Sequence, residues 1–281
     1  MKPIIGLSTI VGISLVLTAC TTAAESPPVS TTPVIEHVHG IAQDPRSDNL
    51  LIASHNGLFA VTQDGVVNGP LGGYDFDAMG FAVDGETLFA SGHPGLRTPS
   101  ELGSPNLGVI RSDDVGESWV PVALTGVEDF HVFTAGPGGM LYGIGSSRPD
   151  LVMSTDGGAT WNPRGIIAAA DLAATDAGLY AATESGLQLS TDEGKSFVIV
   201  DDAPTLYLLA VTSTGTLIGA GVDGNLWSQL GDGSWEQGES LPGPVEALGV
   251  TRNDHPVLVD DRGIVEITAQ GSTVRSPATN R

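Results

Sequence analysis

Five of the six histidines lie in the first half of the chain, in segments that also carry aspartate and methionine. Neutral imidazole binds copper and zinc, and a methionine thioether favours copper(I). Carboxylates near such groups act either as ligands or as partners that orient the imidazole rings. The candidate metal ligands are His37, His39, His55, Met79, His93 and His131.

These residues are far apart in sequence, so the fold must bring them together. Short apolar runs alternate with glycine-containing turns over residues 36–272, as expected of antiparallel strands. The runs recur in six units of roughly 35 to 42 residues, a spacing typical of propeller blades. We therefore predict an all-β fold, a β-propeller of four-stranded blades, with six blades favoured and five or seven open. The segment before His37 is expected to add an outer strand to the sixth blade.

Three segments share the pattern Ser-x-Asp-x-Gly-x-(Ser/Thr)-aromatic, and a fourth, 228–235, is degenerate. The residues are Ser112, Asp114, Gly116 and Trp119; Ser154, Asp156, Gly158 and Trp161; Ser190, Asp192, Gly194 and Phe197. The pattern resembles the Asp-box, or bacterial neuraminidase repeat, of the propeller family that includes sialidases, sortilin-type receptors and photosystem assembly factors. The resemblance implies that each box is structural and lies on the hairpin between the third and fourth strands of a blade.

The inner strands line the central channel of a propeller, and alternate residues on a strand share one face. Alignment of the six predicted inner strands assigns one residue of each strand to an equivalent channel position. These residues are His39, Met79, His131, Asp171, Leu208 and Ala247. The first four blades therefore present His, Met and Asp to the axis, whereas the last two present aliphatic side chains.

The starts of first strands and the ends of second strands meet on the same rim of such a fold. His37, Asp77 and Asp129 stand two residues before the aligned positions, and His55 and His93 end the second strands of blades one and two. We therefore expect five histidines in one quadrant of the channel mouth and the sixth on the opposite rim. This arrangement predicts a copper or zinc site, and a hydrated polar network without a metal is the alternative.

Two further functions fit the same rim. The family resemblance suggests glycoside hydrolysis, which needs two carboxylates roughly 5 to 9.5 Å apart. The catalytic candidates are Asp77, Asp129 and Asp171. The chain lacks the arginine-containing motif of sialidases before its first strand, so we favour a binding or assembly module over an enzyme. A protein-interaction scaffold without metal or turnover is the third hypothesis, and its partner is a protein or a small ligand at the channel mouth.

The first twenty residues are typical of an export signal. Lys2 precedes an apolar stretch that ends in Leu-Thr-Ala-Cys at Cys20. This ending resembles the lipobox of bacterial lipoproteins, in which cleavage before the Cys leaves a lipidated thiol. We expect a signal peptide over 1–19, lipidated Cys20 with a spacer over 20–34, a propeller over 35–275 and a tail over 276–281. The protein would then lie outside the cytoplasm, anchored to the membrane.

The charge of the chain restricts its partners. It has 33 acidic and 11 basic residues and a formal net charge of −22. Repulsion of that size excludes nucleic acids and other polyanions and favours cations. Cys20 is the only cysteine, so no disulfide staples the fold. We expect a monomer.

Overall fold

Six antiparallel sheets of four strands make up the structure, a computed structural model that describes Met1 and residues 33–277. Each sheet is one blade and contains four consecutive strands. The prediction of a six-bladed propeller is therefore confirmed. Cys20, the predicted signal peptide and nearly all of the predicted spacer lie outside the described residues.

The strands run in chain order from the channel outward within each blade. Blades one to three contain β1 Val38–Gln43, β2 Leu50–Ser54, β3 Gly57–Val61, β4 Val67–Asn68, β5 Asp77–Asp84, β6 Thr87–His93, β7 Val109–Ser112, β8 Val120–Ala123, β9 Phe130–Gly136, β10 Met140–Gly145, β11 Asp150–Ser154 and β12 Asn162–Ile166. Blades four to six contain β13 Ala169–Thr175, β14 Gly178–Thr183, β15 Gly186–Ser190, β16 Val198–Ile199, β17 Leu206–Val211, β18 Leu217–Gly221, β19 Asn225–Gln229, β20 Trp235–Ser240, β21 Ala247–Val250, β22 Pro256–Asp260, β23 Gly263–Thr268 and β24 Gly271–Pro277.

Three short 3₁₀ turns, Leu71–Gly73, Ser100–Leu102 and Pro137–Gly139, are the helical elements of the described residues. Over residues 33–277 no helix has the length and apolar character that a membrane crossing requires.

The core lies between neighbouring blades. The second strand of a blade reads as a continuous apolar run because both of its faces are covered, and every residue of β2 and of β18 is buried. Between blades one and two, Leu51 and Leu58 pack with Leu88, Ile110 and Trp119. Such burial stabilises the fold by about 25 cal/mol per Å² of apolar surface. These interfaces hold each inner strand at the channel.

The repeated turns connect third and fourth strands, the place that the resemblance implies. Ser154 Oγ donates to Asp156 Oδ1 at 2.8 Å and accepts from the Gly158 N–H at 2.9 Å. Asp156 in turn accepts from the backbone N–H of Thr160 at 2.8 Å and from its hydroxyl at 2.6 Å. The turns that begin at Ser112 and Ser190 contain the same four bonds. The side chains of the repeat thus satisfy the backbone of a tight turn, which is a structural role.

Blade six supplies its own outer strand, β24, which ends two residues beyond the expected boundary at 275. The expectation that the N-terminal segment adds this strand was wrong, because residues 33–37 form no strand and β24 already pairs with β23. Side chains join blades one and six instead. Arg252 Nη2 donates to the carbonyls of Asp44 at 3.3 Å, Pro45 at 3.2 Å and Ser47 at 3.3 Å.

Candidate functional site

The six inner strands enclose a central cavity of about 420 Å³. His39, Met79, His131 and Asp171 are among the residues that line it, as the sequence predicts for the channel. Aliphatic residues of blades four to six cover much of the remaining wall. The polar part of the cavity is therefore on the side of blades one to three.

A β-bulge marks the entry of the inner strands. In β1, Val38 pairs with Ser54 and Gly40 with Ala53, which leaves His39 unpaired. His131 is unpaired in the same way in β9. A bulge adds one residue to a strand and redirects its side chain, and bulges are frequent next to functional sites. The local backbone thus gives both histidines an orientation that a regular strand would not.

The bulge also bears on the alignment of the inner strands. In β13 and β17 the unpaired residues are Ala170 and Tyr207, and in blade six the residue at this place is Glu246, just before β21. In blades four to six the skipped residue is thus one position before the aligned residue, although the aligned Asp171, Leu208 and Ala247 line the cavity as the sequence predicts. The structural equivalents at the rim are His39, Met79, His131, Ala170, Tyr207 and Glu246. At the cavity itself blades five and six present the aliphatic Leu208 and Ala247, as the sequence predicts.

His39, His55 and Asp77 form the first cluster. His39 Nε2 lies 3.2 Å from Asp77 Oδ1 and 3.4 Å from His55 Nδ1, and His55 Nδ1 lies 3.4 Å from Asp77 Oδ2. Asp77 Oδ1 is buried and has no hydrogen-bond partner, although its side chain is 14% exposed. The side chain of His55 is 54% exposed, so solvent reaches the cluster.

His93, Asp129 and His131 form the second cluster. Both imidazoles approach the same carboxylate oxygen, with His93 Nε2 at 3.2 Å and His131 Nε2 at 2.8 Å from Asp129 Oδ2. Ser146 Oγ donates to the other oxygen, Oδ1. Burial acts to raise the pKa of Asp129, but the hydrogen bonds from Ser146 and His131 and the nearby imidazoles outweigh it, so the pKa is lowered. Asp129 is therefore held as a buried carboxylate anion beside two accessible imidazoles.

Each cluster offers two imidazole nitrogens and one carboxylate oxygen, and the ligand atoms within a cluster all lie within 4.8 Å of one another. This donor set suits zinc or copper(II). Among the described residues these are the two groups that can hold a metal ion in this way.

Blade two joins the two clusters. Asp77 at the start of β5 is directly opposite His93 at the end of β6. Gly92 makes this approach possible, because its φ is 146° and a Cβ there would lie 1.9 Å from the Asp77 carbonyl oxygen. Ser91 Oγ accepts from the Phe130 N–H at 2.8 Å and so links β6 to the strand that carries His131.

Three predicted site residues lie outside both clusters. His37 is exposed and packs edge-on against His39, with ring centroids 4.9 Å apart. Met79 lines the cavity between the blades that carry His39 and His131. Asp171 accepts hydrogen bonds from the backbone amides of Leu172 and Leu209, both at 2.8 Å. Asp171 therefore connects blades four and five.

The sequence analysis missed Ser146 and Ser147. They follow β10 at the place where His55 and His93 follow or end the second strands of the first two blades. Ser147 donates from its hydroxyl to buried Glu128, as Ser146 does to Asp129. The sequence does contain a signal for these two serines. The second strand of blade three is followed by Ser-Ser, at the place where the earlier blades have Ser and His.

A six-bladed β-propeller with a histidine-rich rim is the class of protein that this fold and site define. Comparison with family models and with curated protein sequences finds no match. Among solved structures, a protein of unknown function from Bacteroides thetaiotaomicron VPI-5482 has a TM-score of 0.61 at 10% identity, over 83% of this chain and 70% of that one. Virginiamycin B lyase from Staphylococcus aureus has a TM-score of 0.51 at 14% identity, over 84% and 82%.

A GH74 enzyme from Niastella koreensis is also similar, with a TM-score of 0.52 and 18% identity. The similarity covers 89% of this chain but 38% of the enzyme. At these identities the three likenesses show a shared propeller fold, and the functions of the neighbours differ from one another.

Proposed function

We propose that this protein is a lipid-anchored, extracytoplasmic propeller of the Asp-box type that binds a transition-metal ion, copper or zinc, at the mouth of its channel. It acts there as a binding or assembly module. One observation carries the proposal: four imidazoles and two carboxylates of blades one to three converge in compact groups on one rim.

The chemistry of these groups supports a cation. Imidazole with carboxylate is a common donor set for zinc and copper(II), and the thioether of Met79 in the adjoining wall would favour copper(I). Ser146 orients Asp129 through the oxygen that does not face the imidazoles. Partners that orient a ligand in this way strengthen metal sites. A net charge of −22 attracts cations to the surface.

The hydrolase hypothesis has less support. A glycosidase needs two carboxylates that face a substrate, whereas the three candidates already have other partners. Asp77 and Asp129 lie against imidazoles, and Asp171 is bound by two backbone amides.

Calorimetric titration of the purified, chelator-treated protein with Zn²⁺ and with Cu²⁺ tests the proposal. We expect saturable binding, and we expect His131→Ala to weaken binding at the second cluster at least about tenfold, or to remove that part of the bound metal, because a ligand is lost. His255→Ala is the matched control, since His255 lies in the turn between β21 and β22 and its Nδ1 is 2.9 Å from Glu266 Oε1. Absence of binding for both metals, or equal affinity and equal amount of bound metal in wild type and His131→Ala, contradicts the proposal.

A further inference from the structure

We propose that the channel mouth holds two metal ions, one in the first cluster and one in the second. This inference rests on the proposed function and deepens it. The ligand atoms sort into two sets of the same composition, His₂Asp, and no residue belongs to both sets. A single shared ion would need ligands drawn from both sets.

Each set has its own carboxylate with one oxygen available. In the second cluster the hydroxyl of Ser146 occupies Asp129 Oδ1, which leaves Oδ2 to face both imidazoles. In the first cluster Asp77 Oδ1 is buried, and His39 Nε2 lies 3.2 Å away without forming a hydrogen bond to it. Buried polar atoms are hydrogen-bonded in nearly all native structures, so the lack of a hydrogen bond at this oxygen favours a bound ligand between it and the imidazoles. A cation bound between Asp77, His39 and His55 would satisfy it.

The β5–β6 ladder holds the two sites side by side. Residues directly opposite in an antiparallel ladder have Cα atoms about 4.5 to 5.5 Å apart, so Asp77 of the first cluster adjoins His93 of the second. The two cations would therefore be near neighbours, and like charges repel one another. One carboxylate in each cluster offsets this repulsion, as does the acidic character of the chain.

Both sites are accessible for exchange. The imidazoles of His93 and His131 are 44% and 47% exposed, and His55 is exposed in the first cluster. Substitution of His55 or His93 removes a ligand from one cluster without creating a cavity in the core. The two sites can therefore be disabled one at a time in the folded protein.

The test is the number of metal ions per chain. The protein is saturated with Zn²⁺, freed of excess ion and analysed by mass spectrometry for metal content, and Co²⁺ replaces Zn²⁺ for visible absorption spectra. We expect two ions per wild-type chain, one in His55→Ala, one in His93→Ala and none in the double variant. The two single variants should give different Co²⁺ spectra, because each retains a different cluster, and His255→Ala should retain two ions.

One ion per wild-type chain that is lost in both single variants would overturn this inference and leave the proposed metal function standing. No ion in the wild type would overturn both. Thermal unfolding followed by circular dichroism shows whether each variant is folded, and the wild-type stoichiometry decides the question without any variant.

Discussion

Asp171 was a catalytic candidate from its sequence position, but in the structure its carboxylate bonds to the backbone of two blades. It lines the cavity, yet its two oxygens accept the amides of Leu172 and Leu209. Burial raises the pKa of Asp171 from 3.8 to about 7, against the effect of these two hydrogen bonds. The carboxyl group of Asp171 thus links blades four and five by hydrogen bonds, and its protonation changes with pH.

We expect Asp171 to make the protein less stable as the pH rises from about 4 to about 7. Over that range the folded state keeps the proton that the unfolded chain has released, so rising pH favours unfolding, by on the order of a few kcal/mol at most. Asp171→Asn removes this titration. Urea unfolding measures the free energy of unfolding at pH 5 and pH 8. The difference between the variant and wild type should shift in favour of the variant between pH 5 and pH 8.

The control for this experiment is Asp176→Asn, a substitution of an exposed residue in the next turn. Its difference from wild type should be the same at both pH values. If Asp171→Asn also shows an equal difference at pH 5 and pH 8, the assignment of the pH dependence to Asp171 is wrong.

At the scale of elements, the repeated turns end the third strand of a blade and connect it to the fourth. The hydroxyl of Ser154 is buried and accepts from the Gly158 N–H within the turn. The degenerate fourth turn closes differently, through a backbone bond of 2.7 Å from the Leu230 N–H to the Ser234 carbonyl. The hydroxyl of Ser228 has no hydrogen-bond partner among the described residues. Substitution of Ser228 is therefore a control for substitution of Ser154, because both serines begin a turn of the repeat.

Ser154→Ala should destabilise the protein by about 1–3 kcal/mol, because it leaves the buried Gly158 N–H without an acceptor. For a domain of this size that lowers the Tm by about 2–4 °C per kcal/mol. Ser228→Ala should change the Tm by less than about 1 °C. Calorimetry on both variants checks this, and equal shifts would show that the side-chain bonds of the repeat do not matter to stability.

At the scale of the whole molecule, the strands of residues 33–277 form a ring in which no blade takes a strand from the other end of the chain. All six sheets contain four consecutive strands, so blades one and six meet only through side chains and loops. Val38, Ile41 and Leu50 pack there with Val257 and Val259. The contacts of Arg252 with three carbonyls of the β1–β2 loop add polar links across this junction.

Arg252→Ala should therefore lower stability by about 1–3 kcal/mol, as expected for the loss of several hydrogen bonds to a charged group. Lys195→Ala is the control, because Lys195 is exposed and makes an ion pair of 4.0 Å with Glu193 inside a single turn. We expect its effect to stay within about 0.5 kcal/mol. Urea unfolding measures both, and an Arg252→Ala effect as small as that of Lys195→Ala would contradict the role of this junction.

The repeat could be read from the sequence because its information is local. Apolar runs and glycine turns each depend on a few adjacent residues, and they predicted four-stranded blades with six blades favoured, while the hairpin on which each repeated turn lies followed from the family resemblance. Local order along a blade also determines which rim a strand end reaches. Their positions along the blades predicted that His37, His39, His55, His93 and His131 share one rim, and the two clusters contain four of them.

The tertiary structure decided the composition of the two clusters. His39 and His131 are bulged residues, and the choice of the skipped residue depends on the pairing of first and second strands. Asp77 meets His39 across a blade boundary, while Asp129 meets His131 on its own strand and Ser146 from the neighbouring strand. The contacts of Asp77 with His39 and of Ser146 with Asp129 arise from packing between segments distant in sequence, which no local pattern of residues encodes.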